Sequence, residues 1–220
     1  MKQIFPGVWI KGKQIFVESP IKGDKSFTNN IIKSGRKEFR EWNPYRSKAA
    51  AAIANGLRTF PIRKSIKILY LGISFGTTSS FFSDIIGNSG VIYGIEISER
   101  CMRELNQVAE KRKNIVPILA DARKPQDYPW VEPVDLIFQD VATNDQSEIV
   151  TRNALQFLKN DGYAMVAIKS RSIDVTKKPR HIYKQELEKL RNKFSIVEKL
   201  ELDPYEKDHL FIVMQLKDRK

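Results

Sequence analysis

The stretch Ile66-Lys-Ile-Leu-Tyr-Leu-Gly-Ile-Ser-Phe-Gly-Thr-Thr-Ser-Ser80 passes from a β-rich apolar run straight into two glycines and a cluster of hydroxyl side chains. In a doubly wound α/β sheet, ligands sit outside the carboxyl ends of the strands, and the first strand-to-helix turn uses glycine so that the backbone can approach them. Gly72 and Gly76 occupy such a turn. Their spacing differs from the Gly-x-Gly-x-x-Gly of dinucleotide dehydrogenases, so the nature of the ligand has to be read from the residues at the ends of the later strands.

From Ile66 onward, strand-like and helix-like segments alternate. The expected strands are 66–71, 91–95, 115–119, 134–138, 163–168, 194–200 and 209–216. Between them, Glu99–Lys111 puts Met102, Leu105 and Ala109 on one helical face, and Tyr183, Leu187, Leu190 and Phe194 repeat at helical spacing. The alternation predicts an α/β fold whose buried parallel strands are covered by helices on both sides, with the last two strands forming an antiparallel pair at the edge.

The segment ahead of this alternation reads differently. Residues 1–40 hold short apolar pieces, Val8-Trp9-Ile10 and Gln14-Ile-Phe-Val17, separated by Gly7, Gly12, Pro20, Gly23 and Gly35, a pattern of hairpins and turns. Asn43 as N-cap and Pro44 at the first helical position then open a helix that carries Lys48 one turn in. A small β-rich module over residues 1–55 leading into that helix, followed by an α/β domain over 56–220, is therefore expected.

Charge follows the same division. The formal net charge is +12, yet residues 1–60 hold 12 Lys and Arg against 4 Asp and Glu. Basicity concentrated at the front suits a polyanion, nucleic acid in the first place, with a solubilising surface as the plainer reading. No apolar run approaches the roughly 18 residues that suggest a membrane span. Met1-Lys-Gln-Ile-Phe-Pro-Gly7 lacks the apolar core of a secretory signal, and Cys101 is the single cysteine, so an intracellular, reducing setting is expected. With two histidines and one cysteine, no metal site is expected.

Acids placed after successive strands sharpen the ligand. Val91-Ile-Tyr-Gly-Ile-Glu96 ends in a carboxylate about 20 residues beyond the glycine turn, where it can accept from both hydroxyls of a ribose. Asp121 follows the next strand, positioned for an exocyclic amine of adenine. Either acid alone reads equally as a helix cap or a solvated turn residue; in series they favour an adenosine-containing cofactor. Asp140 ends Val134-Asp-Leu-Ile-Phe-Gln-Asp140 and Lys169 ends Tyr163-Ala-Met-Val-Ala-Ile-Lys169, bringing opposite charges to the same crevice. Burying two ions costs several kcal/mol each, which makes function a better reason for keeping them than structure.

Several long motifs, in order, resemble archaeal-type fibrillarin: Trp42-Asn-Pro-Tyr-Arg-Ser-Lys48, Tyr70-Leu-Gly-Ile-Ser-Phe-Gly-Thr-Thr78, Gly94-Ile-Glu96, Asn114-Ile-Val-Pro-Ile-Leu-Ala-Asp-Ala-Arg123, Gln139-Asp-Val-Ala142, Ala167-Ile-Lys169 with Ser172-Ile-Asp174, and Pro204-Tyr-Glu-Lys-Asp-His209. The resemblance covers nearly the whole chain. It implies a class I methyltransferase fold, Rossmann-like, with a seven-stranded mostly parallel sheet and an antiparallel edge strand. It implies S-adenosylmethionine (SAM) as cofactor and methylation of ribose 2′-hydroxyls in rRNA and tRNA, in the cytoplasm, guided by a box C/D RNA. A Nop-domain scaffold protein and a kink-turn-binding ribosomal-type protein would complete the particle. Cofactor contacts are implied at Thr77, Thr78, Glu96, Ile97, Asp121, Ala122, Asp140, Val141, Ala142, Thr143 and Gln146, beside the turn glycines Gly72 and Gly76. The family commonly has Ala-Gln-Pro after Asp-Val, whereas this chain has Ala142-Thr143-Asn144.

The same resemblance points to Lys48, Asp140, Lys169 and His209 for catalysis. A ribose hydroxyl is a poor nucleophile until aligned and deprotonated, while the SAM methyl is already activated by its sulfonium. Lys169 would orient the hydroxyl and take its proton, or, since an ordinary lysine is charged at neutral pH, stabilise the developing alkoxide. Asp140 would orient Lys169, and Lys48 would supply opposing positive potential. His209 reads either as a participant or as a structural group at a strand start. Arg46, Arg171, Lys177, Lys178 and Arg180 are the candidate RNA contacts. No aromatic platform for single strands is apparent, in keeping with sequence selection by a guide. Two competing readings are a stand-alone class I methyltransferase acting on a small molecule or protein, and a non-catalytic RNA-binding relic.

Overall fold

The computed structural model describes residues 1–217. Its front is a five-stranded antiparallel sheet of β1 (Lys2–Phe5), β2 (Val8–Lys11), β3 (Gln14–Ser19), β4 (Ile31–Ser34) and β5 (Lys37–Glu41), in the order β1-β2-β3-β5-β4. The hairpins expected from the glycine spacing are present. The helix expected from Asn43 is divided in two. Asn43 caps only a 3-10 turn, Pro44–Arg46, its Oδ1 accepting from Tyr45 N at 2.8 Å. The chain extends at Ser47, and α1 (Lys48–Ala54) starts afresh with the Ser47 hydroxyl as its cap. Two cap signals stand in succession, and a tertiary bond decides between them: Thr78 Oγ1 donates to Ser47 Oγ at 2.9 Å. Lys48 is consequently the first residue of its helix.

The remaining strands are β6 (Lys67–Leu71), β7 (Val91–Glu96), β8 (Ile115–Leu119), β9 (Val134–Gln139), β10 (Leu158–Lys169), β11 (Phe194–Glu201) and β12 (His209–Leu216). They form one sheet in the order β11-β12-β10-β9-β6-β7-β8. The central strands are parallel, and β12 runs antiparallel to both β10 and β11. The antiparallel strand thus lies second from the edge, where its first residue, His209, pairs with the last of β10, Lys169. Helices α2 (Thr77–Ile86), α3 (Glu99–Lys111), α4 (Gln146–Phe157), α5 (Ser170–Ile173) and α6 (Pro179–Arg191) fill the connections. The helix predicted from Tyr183 to Phe194 stops at Arg191, and Phe194 opens β11.

Side-chain alternation along the sheet builds a core on each face. Ile68 and Tyr70 enter one apolar cluster, Leu69 and Leu71 the other. The first cluster also contains Val8, Ile15, Val17 and Trp42, so the front sheet and the large sheet share a continuous core. Trp42 is fully buried and stacks on Phe81 of α2 with ring centroids 5.3 Å apart. Beneath them lies a buried ionic knot. Arg40 of β5 binds Asp84 of α2 and the Ser26 carbonyl, its guanidinium 4.4 Å above the Phe81 ring, while Arg112 Nη2 lies 2.6 Å from Asp24 and 3.3 Å from Asp84. Removing Asp84, whose fully buried side chain pairs with both guanidiniums, strands buried charge and costs about 3–5 kcal/mol. The knot and the shared core fix the segment carrying Lys48 against the sheet. No helix among the described residues is long and apolar enough to cross a membrane.

Candidate active site

The parallel strands present their carboxyl ends along one rim, and a cleft of about 450 Å³ opens there, within the roughly 300–1,000 Å³ range of small-molecule sites. Gly72, at φ +76°, follows β6; a Cβ on it would meet the Asp140 carbonyl and Val141 at 3.1 Å. The glycine therefore lets the ends of β6 and β9 close on each other while its own backbone lines the cleft.

Glu96, at the end of β7, is 8% exposed. Its Oε2 accepts from Ser74 N at 2.8 Å and its Oε1 from Ser98 N at 2.9 Å. One acceptor position remains on each oxygen, the pattern a vicinal diol requires. Beyond it the exposed side chain of Ile97 offers an apolar surface, and Asp121 and Ala122 follow β8. The Asp121 carboxylate is held by Arg123, whose Nε lies 3.0 and 2.9 Å from its two oxygens. That hydrogen bonding and ion pair lower the Asp121 pKa, so it is an ionised acceptor at neutral pH.

At the other end of the cleft, Asp140 sits between two ammonium groups. Lys48 Nζ is 3.2 Å from its Oδ2 and Lys169 Nζ is 2.9 Å from its Oδ1. The Lys169 hydrogen bond itself goes to the Asp140 carbonyl at 2.9 Å, so the Oδ1 contact is ionic and off the hydrogen-bond axis, leaving Oδ1 buried and without a hydrogen bond. Burial works to depress the Lys48 pKa, but Asp140 and Glu206 outweigh it and raise the net value. Lys48 is a fixed cation at neutral pH.

Of the sequence-predicted set, the structure brings Lys48, Gly72, Glu96, Ile97, Asp121, Ala122, Asp140, Val141, Ala142, Thr143 and Lys169 to the cleft wall. Gly76, Thr77, Thr78 and Gln146 are not part of it. Gly76, in the left-handed region, lets α2 approach α3: a Cβ there would meet Leu105 at 3.0 Å. Thr77 opens α2, and Thr78 is turned to Ser47. Gln146 is fully buried and straps the site from behind, donating to the Thr143 and Lys169 carbonyls and accepting from Lys169 N at 2.9 Å. His209 lies opposite Lys169 in the sheet, but its Nδ1 is 2.6 Å from the Lys207 carbonyl, fastening the ring to its own loop. Arg46, Arg171, Lys177, Lys178 and Arg180 lie off the cleft wall; Arg171 pairs with Asp208 at 2.8 Å, Lys177 with Asp174 at 3.4 Å and Arg180 with Glu201 at 3.4 Å. Sequence reasoning missed Ser74, Ile95, Ala120, Arg123 and Ile149 on the wall, and Glu206 beside Lys48. All of these except Ile149 lie inside the motifs quoted above, beside the residues that were named.

The donor set fits a nucleoside with a charged tail. Glu96 keeps acceptors for a diol, Asp121 presents a carboxylate held by Arg123, and the buried Asp140 Oδ1 and Thr143 Oγ1 lack hydrogen-bond partners at the opposite end. Among the described residues no cluster of His, Cys, Asp or Glu is arranged to hold a metal ion.

A parallel sheet with an antiparallel strand near its edge, and acids at successive carboxyl ends around such a cleft, define the class I SAM-dependent methyltransferase fold. The fibrillarin family model matches residues 1–218. A Pyrococcus furiosus protein named fibrillarin-like rRNA/tRNA 2′-O-methyltransferase is 48% identical over 219 residues, covering 96% of each chain. The solved Aeropyrum pernix fibrillarin, in complex with natively bound S-adenosyl-L-methionine, superposes with a TM-score of 0.85 at 45% identity, covering 91% of this chain and 88% of its own. A fibrillarin from a fibrillarin/Nop5p complex gives 0.90 at 36% identity, covering 98% and 100%. The chain belongs to the fibrillarin family.

Proposed function

We propose that this protein methylates the 2′-hydroxyl of ribose in rRNA and tRNA, using SAM, as the catalytic subunit of a box C/D guide ribonucleoprotein. The observation that carries the reading is Asp140 shared between the Lys48 and Lys169 ammonium groups at one end of a cleft whose other end holds Glu96 and Asp121. Both competing readings lose ground to it. A relic would have no reason to keep two largely buried cations on one carboxylate, and a small-molecule enzyme has no use for the concentration of Lys and Arg in residues 1–60.

Glu96 would hold the cofactor's ribose hydroxyls, Asp121 and Ala122 its adenine, Ile97 an apolar face of the ring, and Asp140, Val141, Ala142 and Thr143 its amino-acid end. Gly72 gives the backbone clearance. Gly76, Thr77, Thr78 and Gln146 act behind the cleft wall, by packing, capping and strapping. Bound SAM supplies an electrophilic methyl on a sulfonium centre.

The protein's own part is alignment and charge. Lys169, its backbone fixed by Gln146 and its ammonium by the Asp140 carbonyl, orients the target hydroxyl and takes up or stabilises the charge left on oxygen. Asp140 holds Lys169 in place. Lys48 takes part of the Asp140 charge and so keeps that carboxylate from binding Lys169 too tightly. His209 supports Lys169 through the sheet, its imidazole braced by Lys207. Arg46, Arg171, Lys177, Lys178 and Arg180 contact RNA phosphates, those now paired exchanging their carboxylates for them.

The likeness to the Nop5p-bound fibrillarin supports a Nop-domain scaffold as partner. A kink-turn-binding protein would anchor the guide, and a particle of this kind works in the cytoplasm. A methyl-transfer assay with labelled SAM and target RNA, with and without guide and partners, tests the reading: label on one guided ribose is expected, and guide-independent label, or label on a base, would reject it.

A further inference from the structure

The connection from β11 to β12 reaches across the molecule to α1. Glu206 Oε1 in that connection lies 3.5 Å from Lys48 Nζ, on which Asp140 Oδ2 also bears at 3.2 Å. One ammonium is therefore divided between two carboxylates, one belonging to the cleft and one not. Glu206 is no wandering surface acid. Tyr205 N and Glu206 N both donate to the Leu202 carbonyl, at 2.9 and 3.1 Å. Asn55, at the end of α1, donates to the carbonyls of Glu201 and Asp203 at 3.0 and 2.8 Å. Tyr205 meets Tyr45 edge to face at 4.9 Å. At the far side of the loop the Asp208 carbonyl accepts from Ser170 Oγ at 2.9 Å. The loop is thus fastened to the segment before Lys48, to the helix after it, and to the residue after Lys169.

We infer that Glu206 is a positioning residue for methyl transfer, holding Lys48 back so that Asp140 remains available to orient Lys169. The inference rests on the 2′-O-methyltransferase reading. Without the Glu206 charge, Lys48 has a single carboxylate to satisfy and closes on Asp140, which turns toward it and away from Lys169. The titratable and charged groups of the segments around this ammonium are Asp140 after β9, Lys169 at the end of β10, Asp203, Tyr205, Glu206, Lys207 and Asp208 from the loop, His209 at the start of β12, Tyr70 from β6, and Tyr45 and Arg46 from the 3-10 turn. Only Asp140 and Glu206 pair with Lys48, so Glu206 supplies one of the two attractions that favour its charged form.

Glu206→Gln and Glu206→Asp, assembled into the guide particle, provide the test. Glu206→Gln is expected to lower the single-turnover methylation rate at saturating SAM about 10- to 100-fold with RNA affinity unchanged, the cost of a misplaced reacting group. The alkaline limb of its pH–rate profile should move about one unit lower, since a cation that loses a carboxylate gives up its proton more easily. Glu206→Asp keeps the charge and should recover part of both. An NMR titration of the Lys48 side chain in the protein alone, assigned by comparison with Lys48→Arg, should show the same downward shift in Glu206→Gln and reads Lys48 whether or not RNA is methylated. An active wild type with an unaltered rate, profile and Lys48 titration in Glu206→Gln overturns the inference. Equal losses in both variants with an unmoved profile also overturn it, because they mark a merely structural loop. A wild-type particle that does not methylate ribose overturns the reading beneath it.

Discussion

Replacing Glu96 by glutamine probes the cofactor site without RNA or partners. Each carboxylate oxygen accepts one backbone N–H, from Ser74 at 2.8 Å or Ser98 at 2.9 Å, and each offers its second acceptor position to a ribose hydroxyl. Glutamine keeps the shape and one oxygen, but its amide nitrogen must face one of those N–H groups donor to donor. In the free protein this leaves a poorly satisfied donor at an almost buried position, costing about 1–2 kcal/mol and lowering the melting temperature by roughly 2–8 °C. In the complex, two hydroxyl bonds to a charged acceptor, roughly 1.5–3 kcal/mol each, become neutral bonds of about 1 kcal/mol. The net loss of about 1–4 kcal/mol weakens SAM binding about 5- to 900-fold. Calorimetric titration of the purified protein measures the binding, and a melt without ligand measures the other share. A cofactor analogue lacking one ribose hydroxyl supplies the internal control: its penalty should be large in the native protein and small in the variant. A folded Glu96→Gln protein binding SAM within threefold of native, or an undiminished analogue penalty, would refute the assignment.

Lys169→Ala should reduce methyl transfer by about 10²- to 10⁴-fold, the usual worth of a proton-handling group, while calorimetry shows SAM affinity nearly unchanged; a rate within threefold of native would remove Lys169 from the chemistry. Asp24 gives a pH signature: burial acts to raise its carboxyl, but hydrogen bonds from Ser26 and Arg112, with the Arg112 charge, hold it at about 2. A depressed pKa of this kind gives stability that is present above the unfolded value near 4 and lost as pH falls toward 2. Asp24→Asn should therefore flatten the decline of melting temperature between pH 4 and pH 2 and remove about 1–2 kcal/mol at pH 7 after allowance for solvent screening. Lys178→Ala should weaken RNA binding and lower the salt-dependence slope by about 0.7–0.9 if it contacts a phosphate; filter binding over a salt series reads it.

The fold was legible because the parallel strands are apolar runs ending in a glycine, an acid or a lysine, and the ends that bounded them in the sequence are the ends that form the rim. Helix α3 was readable to the residue, with Ser98 capping one end and its apolar stripe ending at the other. Residues 43–55 misled because Asn43-Pro44 and Ser47 are both good starts, and the deciding bond comes from Thr78, far along the chain. A similar limit governs the site. The packing of Gly76 against Leu105 and the bond from Thr78 to Ser47 join segments far apart in the chain and had no signal in the glycine turn itself. Glu206 is an acid in a return loop, and nothing local ties it to Lys48. A count of charges cannot separate Arg40 from surface cations, yet it is fully buried against Asp84.

The central claim is that Lys48, Asp140 and Lys169 serve a sugar oxygen. Mass spectrometry of target RNA digested to nucleosides, after reaction with methyl-labelled SAM in the assembled guide particle, addresses it most directly. One 2′-O-methylated nucleoside at the guide-specified position, abolished by Lys169→Ala, is the expected outcome. Label on a nucleobase or on protein, or undiminished ribose label in that variant, would contradict it.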